Sequence, residues 1–336
     1  MRLRPAGSPL APAGSPLAPA GMRLRPAGSP LAPAGSPLAP AGSPLALAVL
    51  ALALALSTGA QARPQPLAQA STAAVPGLPE ALRCTRPGRP AAFAQDANSG
   101  QVLAARDADV PLPPASLTKV MTLHVALNAV RDGTARLDDI VAVRPGLPAQ
   151  WAGRGASAGL TPGQRISIAE LMASVGARSA NDGAAALAEA IAGSQTAFIR
   201  RMEAERVRLG LGRSRFATVG GWSDGGRTCI SARDAARLIG AVVDAHGALA
   251  LRFLGPQALA PDAPGGPIAA ATGAVALKTG WTAAAGRGVA LDVRREGRRL
   301  LVATLGHPSD SARLEAAQAL VEAALAKAGP TPSRRR

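Results

Sequence analysis

Strand-like segments stand at both ends of the foldable part of this chain, and helical patterns fill its middle. Near the start, AAFAQDANSGQVLAARDADV alternates around a turn at 98–100, which predicts a β-hairpin. Three β-like runs precede the final helix. A sheet built from both ends brings those ends together and leaves the helical middle as a second lobe. The sequence therefore predicts an α+β fold, an antiparallel sheet with helices from both termini and an all-helical lobe, with a site in the cleft between them.

The order of elements follows from apolar periodicity and from Gly and Pro breaks. Two long stretches, 133–165 and 255–273, read as loops because both are rich in Gly and Pro. Strands are predicted at 91–95, 101–106, 275–279, 288–294 and 299–305, and helices at 116–130, 167–175, 182–191, 195–209, 232–243 and 311–328.

The first 62 residues have a different character. Residues 1–21 recur unchanged as 22–42, and this Pro/Gly/Ser/Ala repeat has no apolar face to stack, so it reads as a disordered extension or as an early start before Met22. The apolar run 45–56 is too short to span a bilayer comfortably and is followed by Ala60-Gln61-Ala62. This pattern predicts a secretory signal and a mature chain from Arg63, with an uncleaved anchor as the alternative.

The predicted organisation has four parts. Residues 1–62 hold the repeat and the signal peptide, 63–90 form an irregular segment, 91–328 form the main domain, and 329–336 form a basic tail. Three terminal arginines are too few to predict a firm membrane anchor. We expect an exported protein of the periplasm or cell envelope.

The charge balance is strongly basic, with a formal net charge of +16. In an exported protein this favours cell-wall polymer or lipid headgroups as partners, and the seven aromatic residues are too few for a nucleic-acid stacking platform. C-x-x-C and H-E-x-x-H are absent and the three histidines are scattered, so no metal or cofactor is expected. Export permits a disulfide between Cys84 and Cys229, but the sequence leaves that pairing open.

PASLTKV places Ser116 and Lys119 three positions apart, so they share a helix face. Only three of the 37 basic residues are lysines, which makes each lysine a candidate for chemistry that arginine cannot perform. A buried lysine near another cation can lose its proton and then activate a serine hydroxyl. The motif alone is also compatible with a serine N-cap followed by an exposed lysine.

Two further motifs follow in order. Ser179 and Asn181 stand at a break between two predicted helices, where short polar side chains can point into a cleft. Lys278-Thr279-Gly280 ends a β-like run whose edge could pair with an extended peptide. Taken singly, these read as a helix cap and a strand end. Together, S-x-x-K, S-x-N and K-T-G are the signature of penicillin-interacting serine enzymes.

Over roughly 91–328 the chain resembles the D-alanyl-D-alanine carboxypeptidase family, the low-molecular-mass penicillin-binding proteins. The resemblance is carried by DADVPLPPASLTKVMTLHVAL, SVGARSANDGAAALAEAIAGSQTAFIRRM and LKTGWTAAAGRGVALDVRREGRRLLVATLG. It implies a serine β-lactamase/DD-peptidase-like fold. It also implies release of the terminal D-Ala from peptidoglycan stem peptides and acylation by β-lactam antibiotics.

The resemblance also implies roles in the chemical step. Ser116 would be the acylated nucleophile and Lys119 its general base, while Ser179 would relay a proton to the leaving amine. The backbone N–H groups of Ser116 and Trp281 would form the oxyanion hole.

The remaining implied roles concern substrate binding. Asn181 would hold a substrate amide, Lys278 would maintain a positive potential, and Thr279 of the Lys-Thr-Gly280 strand would lie near the terminal carboxylate. Arg313, placed in the turn before the last helix, matches a family arginine that helps to hold that carboxylate.

The sequence departs from the family in three places. Met202-Glu203 stands where Met-Asn is usual, the segment before Lys278 lacks the usual Asn-rich stretch, and the β-rich domain of larger members is not seen. The motifs do not distinguish a carboxypeptidase from a DD-endopeptidase that cuts cross-links. A class A β-lactamase is disfavoured because the loop 216–228 contains no glutamate. A remote alternative is an esterase that uses Ser223 in G-W-S-D-G.

Overall fold

Five strands from the two ends of the chain form one antiparallel sheet in the computed structural model, which describes residues 84–85, 88–222 and 224–328. The strand order is β2-β1-β7-β6-β5, and Ala91 of the first strand pairs with Leu305 of the last, which confirms that the two ends lie together. The strands of this sheet are β1 (Ala91–Asp96), β2 (Val102–Arg106), β5 (Ala274–Thr282), β6 (Gly286–Arg295) and β7 (Arg298–His307).

Helices fill the middle of the chain, as predicted. The first of them follows a 3₁₀ turn, Ala115–Leu117. The helices are α1 (Thr118–Arg131), α2 (Leu147–Trp151), α3 (Ile168–Ala177), α4 (Asn181–Ala192), α5 (Gln195–Arg208), α6 (Ala232–Leu254), α7 (Gly265–Thr272) and α8 (Asp310–Ala328).

Both faces of the sheet are covered, and β7 shows how its sequence does this. Successive side chains of a strand point to opposite faces. Leu300 and Val302 therefore join the apolar cluster that includes Val321 of α8, while Leu301 and Ala303 join the larger cluster of α1, α3 to α6 and the neighbouring loops. The central strands consequently read as nearly continuous apolar runs, and α6 and α8 hold the sheet between them.

Some predicted boundaries were wrong. The helical segment α6 extends beyond 243 to Leu254, but the non-helical backbone of Gly247 (φ 51°, ψ −126°) divides it into two helices joined by a kink. The predicted loop 255–273 contains α7, whose sequence GGPIAAAT has no polar face that could signal a helix. The predicted loop 133–165 contains α2 and β3 (Ile140–Ala142), which pairs with β4 (Arg165–Ser167).

A disulfide joins Cys84 to Cys229, which settles the pairing that the sequence left open. The backbone of Cys229 exchanges two hydrogen bonds with Arg215, so the disulfide lies at the base of the loop 216–228. It ties the segment before β1 to that loop.

The stretch Ala232–Ala258 is the one helical segment among the described residues that is long and apolar enough to cross a membrane. Half of its apolar window is buried within the fold, and core helices of soluble domains meet the same criterion. The proposed repeat, signal peptide and basic tail lie outside the described residues.

Candidate active site

Ser116 lies in the tight turn that leads into α1. The α-helix begins at Thr118 rather than at Ser116, because Ala115–Leu117 form a 3₁₀ turn and Ala115 adopts a positive φ of 48°. Left-handed backbone at a residue other than glycine is uncommon and costs free energy, and such residues often cluster at active sites. The turn leaves Ser116 half-buried at a cavity wall, while Lys119 is fully buried behind it.

Three oxygen atoms surround the Lys119 amine. Its Nζ lies 3.0 Å from Ser116 Oγ, 2.7 Å from Asn181 Oδ1 and 2.8 Å from the carbonyl oxygen of Gly220. Carbonyl oxygens can only accept hydrogen bonds. A neutral amine has two N–H groups and one lone pair, so donation to Asn181 and Gly220 directs the lone pair at the Ser116 hydroxyl.

The surroundings of Lys119 favour that neutral form. Burial and the neighbouring Lys278 cation hold the pKa of Lys119 well below its usual value, and the Asp182 carboxylate opposes them only in part. The amine therefore has the geometry that a general base needs, and its pKa is shifted in the direction that favours the neutral form.

Ser179 and Asn181 lie where α3 gives way to α4. Ser179 has a positive φ of 58°, and Asn181 is the first residue of α4. The Asn181 Nδ2 donates to the carbonyl oxygen of Arg154 at 2.7 Å, while its Oδ1 accepts from Lys119. Both halves of this amide are thus hydrogen-bonded inside the protein, and the side chain fixes the direction of the Lys119 amine.

Lys278 lies on β5, the edge strand of the sheet. Its Nζ donates to Ser179 Oγ at 2.9 Å and to the carbonyl oxygen of Thr279 at 3.0 Å. Burial and the nearby Arg313 lower the pKa of Lys278 to about 7. The edge position leaves one side of β5 without a partner strand, as strand addition by a peptide requires.

Gly280 lets the edge strand approach the Ser116 turn. A Cβ atom at this position would lie 2.8 Å from the Pro114 carbonyl oxygen and 3.1 Å from the Ser116 nitrogen. Only glycine fits without a shift of backbone. The backbone on both sides of the predicted oxyanion hole is therefore in close contact.

These groups border one cavity of about 460 Å³ between β5, the α3–α4 junction and the start of α8. Lys119 and Asn181 contact the site from behind Ser116 and do not line the cavity among the described residues. The predicted site residues that line it are Ser116, Ser179, Lys278, Thr279, Gly280, Trp281 and Arg313.

Arg313 lies in the first turn of α8, not in the turn before that helix as predicted, because α8 already begins at Asp310. One of its terminal nitrogens forms an ion pair with Asp310 at 2.6 Å. Its Nε is buried without a hydrogen-bond partner among the described residues.

The structure adds two groups that sequence reasoning missed. The first is the Gly220 carbonyl, which has no sequence signal because every residue carries a carbonyl. The second is Asp182, which accepts hydrogen bonds from Ser157 Oγ at 2.6 Å and from the backbone N–H of Ala158 at 2.7 Å. Asp182 thereby holds the loop that faces Asn181, and its position directly after S-A-N was the available signal.

Ser223, the nucleophile of the esterase alternative, lies outside the described residues. Its described neighbours Trp222 and Asp224 lie in a loop, and α6 begins only at Ala232, whereas the esterase elbow needs a helix directly after its serine. Within the described ranges, no group of three or more His, Cys, Asp or Glu side chains could hold a metal ion.

Comparison with known proteins places the same segment in one family. The family model described as D-alanyl-D-alanine carboxypeptidase matches residues 89–309. The chain is 34% identical over 236 residues to the D-alanyl-D-alanine carboxypeptidase DacC of Escherichia coli, which covers 67% of this chain. It spans 58% of the length of that relative.

Two further relatives bear on the site. Penicillin-binding protein 5 of Haemophilus influenzae, a solved structure, superposes with a TM-score of 0.63 at 26% identity and covers 69% of each chain. A D-alanyl-D-alanine endopeptidase of Pseudomonas aeruginosa is 31% identical over 148 residues, covering 44% of this chain and 45% of that protein. The fold is therefore that of the DD-peptidases and penicillin-binding proteins, and the chain belongs to the D-alanyl-D-alanine carboxypeptidase family.

Proposed function

We propose that this protein is a serine DD-peptidase that removes the terminal D-Ala from peptidoglycan stem peptides. The observation that carries this proposal is the 3.0 Å contact between Lys119 Nζ and Ser116 Oγ, with carbonyl oxygens of Asn181 and Gly220 at hydrogen-bond distance from the same nitrogen. The catalytic domain would be residues 91–328. Membership of the carboxypeptidase family supports the substrate class.

The first half of the reaction forms an acyl-enzyme. Ser116 Oγ attacks the carbonyl carbon of the terminal peptide bond while Lys119 takes the hydroxyl proton. The backbone N–H groups of Ser116 and Trp281 stabilise the oxyanion. The C–N bond then breaks as Ser179 gives its proton to the leaving amine and takes up the proton that Lys119 removed from Ser116, and an ester on Ser116 remains.

The second half hydrolyses that ester. Water attacks the acyl carbon while Lys119 takes its proton. The ester C–O bond then breaks, Lys119 returns that proton to Ser116 Oγ, and the shortened peptide is released. Throughout, Lys278 and Arg313 supply positive potential beside Thr279, where the substrate carboxylate would bind. The presence of Arg313 in the lining of the cavity supports this role.

Acylation by penicillin tests the proposal. The protein is incubated with benzylpenicillin, and the adduct is mapped by mass spectrometry of its peptides. Label on Ser116 is expected, together with D-Ala release from a stem pentapeptide. Label on Ser223, or no label, would contradict the proposal.

A DD-endopeptidase that cuts cross-links is the second candidate, supported by the similarity to the endopeptidase of Pseudomonas aeruginosa. Purified muropeptides separate the two activities. A carboxypeptidase releases D-Ala from the monomeric pentapeptide, whereas an endopeptidase converts the cross-linked dimer to monomers. We expect the first reaction to be the faster.

We also propose that the protein is exported. Ala60-Gln61-Ala62 after the apolar run supports cleavage before Arg63. The formal net charge of +16 suits the anionic polymers of the cell envelope. N-terminal sequencing of the protein from an envelope fraction should give Arg63, and retention of residues 45–56 would indicate an anchored protein instead.

A further inference from the structure

An exposed tryptophan follows Lys278-Thr279-Gly280 directly. Trp281 is 57% exposed although it borders the cavity, whereas Trp151 and Trp222 are half-buried. A large apolar side chain left open to solvent at the mouth of a cavity is a feature that ligand contact would explain.

Arg287 holds this tryptophan in place. The two residues pair across β5 and β6, and the guanidinium carbon lies 5.3 Å from the centroid of the indole ring. Arg287 is itself anchored, because it donates to the Pro308 carbonyl oxygen at 3.1 Å and forms an ion pair with Asp310 at 3.1 Å. The indole is therefore a supported wall and not a freely rotating side chain.

The strand pleat places this wall beside the carboxylate site. Residues two apart on a strand share a face and lie roughly 6.5–7 Å apart, so Trp281 lies one pleat beyond Thr279. Asp310 connects the arginine beside the indole with the arginine at the carboxylate site, because one of its oxygens pairs with Arg287 and the other with Arg313. The cavity therefore runs from the buried Arg313 to the exposed indole along one surface.

We propose that Trp281 and Arg287 form the wall of a subsite for the leaving residue and limit the size of its side chain. The proposal rests on the function proposed above, which places the terminal carboxylate between Thr279 and Arg313. A residue whose carboxylate lies there has its side chain next to the indole. A methyl group fits against the ring, whereas a branched side chain has to displace the indole from Arg287.

Two substrates that differ only in the leaving residue test this inference. The substrates are stem pentapeptides ending in D-Ala-D-Ala and in D-Ala-D-Leu. For each, kcat/KM is measured for release of the terminal amino acid by the full-length protein. The wild type should prefer terminal D-Ala by about tenfold or more, since a misfit methylene group changes specificity by roughly 10- to 200-fold. Trp281→Ala should reduce this preference about fivefold or more, and Trp281→Phe, which keeps an aromatic wall, should stay within about twofold of the wild type.

Arg287 is tested as a positioning residue by the same ratio. Arg287→Ala should reduce the preference as Trp281→Ala does, and Arg287→Lys should restore part of it. Arg233→Ala is the matched control, because Arg233 stacks on Phe93 at 4.6 Å and is not among the described residues that line the cavity. This control should leave the ratio unchanged.

The outcomes separate this inference from the proposed function. If the wild type takes up penicillin on Ser116 and releases D-Ala, but the D-Ala to D-Leu ratio is the same in Trp281→Ala as in the wild type, the subsite assignment is wrong and the function stands. Equal loss of activity on both substrates would likewise overturn the subsite assignment alone. Absence of the penicillin adduct in the wild type would refute the function itself.

Discussion

The Nζ atom of Lys119 lies 3.0 Å from the Oγ atom of Ser116, and carbonyl oxygens of Asn181 and Gly220 bind the same nitrogen. The three partners come from the 3₁₀ turn before α1, the start of α4 and the loop 216–228. Burial then removes the water that would otherwise solvate the charged form of the amine. The contacts that orient this amine are therefore present in the fold without a substrate.

A charge placed next to the Lys119 amine should shift the pH at which the rate of penicillin acylation falls on the acid side of its pH profile (the acid limb). In Asn181→Asp, a carboxylate replaces the amide 2.7 Å from Nζ and should raise the pKa of Lys119 by about 1–3 units. The neutral amine is the active form, so acylation should then require a higher pH by the same amount. Penicillin acylation rates between pH 5 and pH 10 measure the shift.

The matched control for that charge is Asn98→Asp, in the exposed turn between β1 and β2. It adds the same negative charge away from the site and should leave the acid limb in place. An acid limb that stays at its wild-type pH in Asn181→Asp would mean that Lys119 is not the titrating base.

Loss of the Lys278 charge should weaken substrate binding at alkaline pH, which gives the pH profile of KM an alkaline limb. The pKa of Lys278 is lowered to about 7, so its positive charge is present below that pH and is lost as the pH rises through it. KM for an anionic stem peptide should therefore increase above about pH 7. Lys278→Arg keeps its charge at these pH values, so its KM should be nearly independent of pH from 7 to 9, even if its overall rate is lower. A wild-type alkaline limb that persists in Lys278→Arg would contradict this assignment.

The disulfide should contribute to stability through the unfolded chain. Cys84 and Cys229 are 145 positions apart, and a cross-link over so long a segment restricts the denatured ensemble strongly. The double variant Cys84→Ala/Cys229→Ala should lose about 2–4 kcal/mol of unfolding free energy, measured by urea titration. Wild-type protein unfolded in the presence of a thiol reductant should show the same loss. A change below about 0.5 kcal/mol would show that the link is energetically neutral.

Sequence reasoning predicted the sheet more accurately than the loops, for a physical reason. The central strands carry long runs of Val, Leu and Ala bounded by Gly, and the turn at Glu296-Gly297 uses two positive φ angles, as a tight hairpin requires. The helix α7 is built from Gly, Pro, Ala, Ile and Thr, so it has no polar face. Its packing on β5 and α8, and not its own pattern, makes it helical.

The sequence motifs indicated the side chains that meet at the candidate site, but not the backbone groups that contact them. Ser116, Lys119, Ser179 and Lys278 come together in hydrogen-bond contact along the predicted motifs. The contribution of Gly220 could not be predicted, because its carbonyl reaches Lys119 only after the loop 216–228 folds back over α1. The partners of Asn181 also depend on that tertiary arrangement.

A pair of histidines in contact, His124 buried and His246 half-buried, should make stability depend on pH. His124 Nε2 lies 2.9 Å from a Glu205 oxygen, and its Nδ1 lies 3.3 Å from His246 Nε2. Burial lowers the pKa of both histidines, that of His246 to about 4 with His124 adding to the effect. The charged groups facing the pair are Glu205 and Arg208 on α5, Arg131 on α1 and Asp132 after it.

Because the folded pKa lies below the unfolded value of about 6.5, the unfolded chain binds more protons in this range. The contribution of the pair to the free energy of unfolding should be fully present above about pH 6.5. It should be lost as the pH drops toward 4, which lowers the free energy of unfolding by an amount on the order of 1–2 kcal/mol. His246→Gln should make the decline shallower in urea titrations at pH 4.5 and pH 7. An identical decline in the variant would rule out the pair as its source.

The role of Lys119 as the general base is tested by the rate of penicillin acylation in Lys119→Arg. Arginine has nearly the reach of lysine but stays protonated and cannot accept the Ser116 proton, so the second-order rate should fall by at least roughly 10²- to 10⁴-fold. Lys327→Arg, on the exposed side of α8, is the matched control and should acylate at the wild-type rate, with circular dichroism confirming the fold of both variants. Acylation of Lys119→Arg at close to the wild-type rate would show that the lysine is only a charge and that the mechanism is wrong.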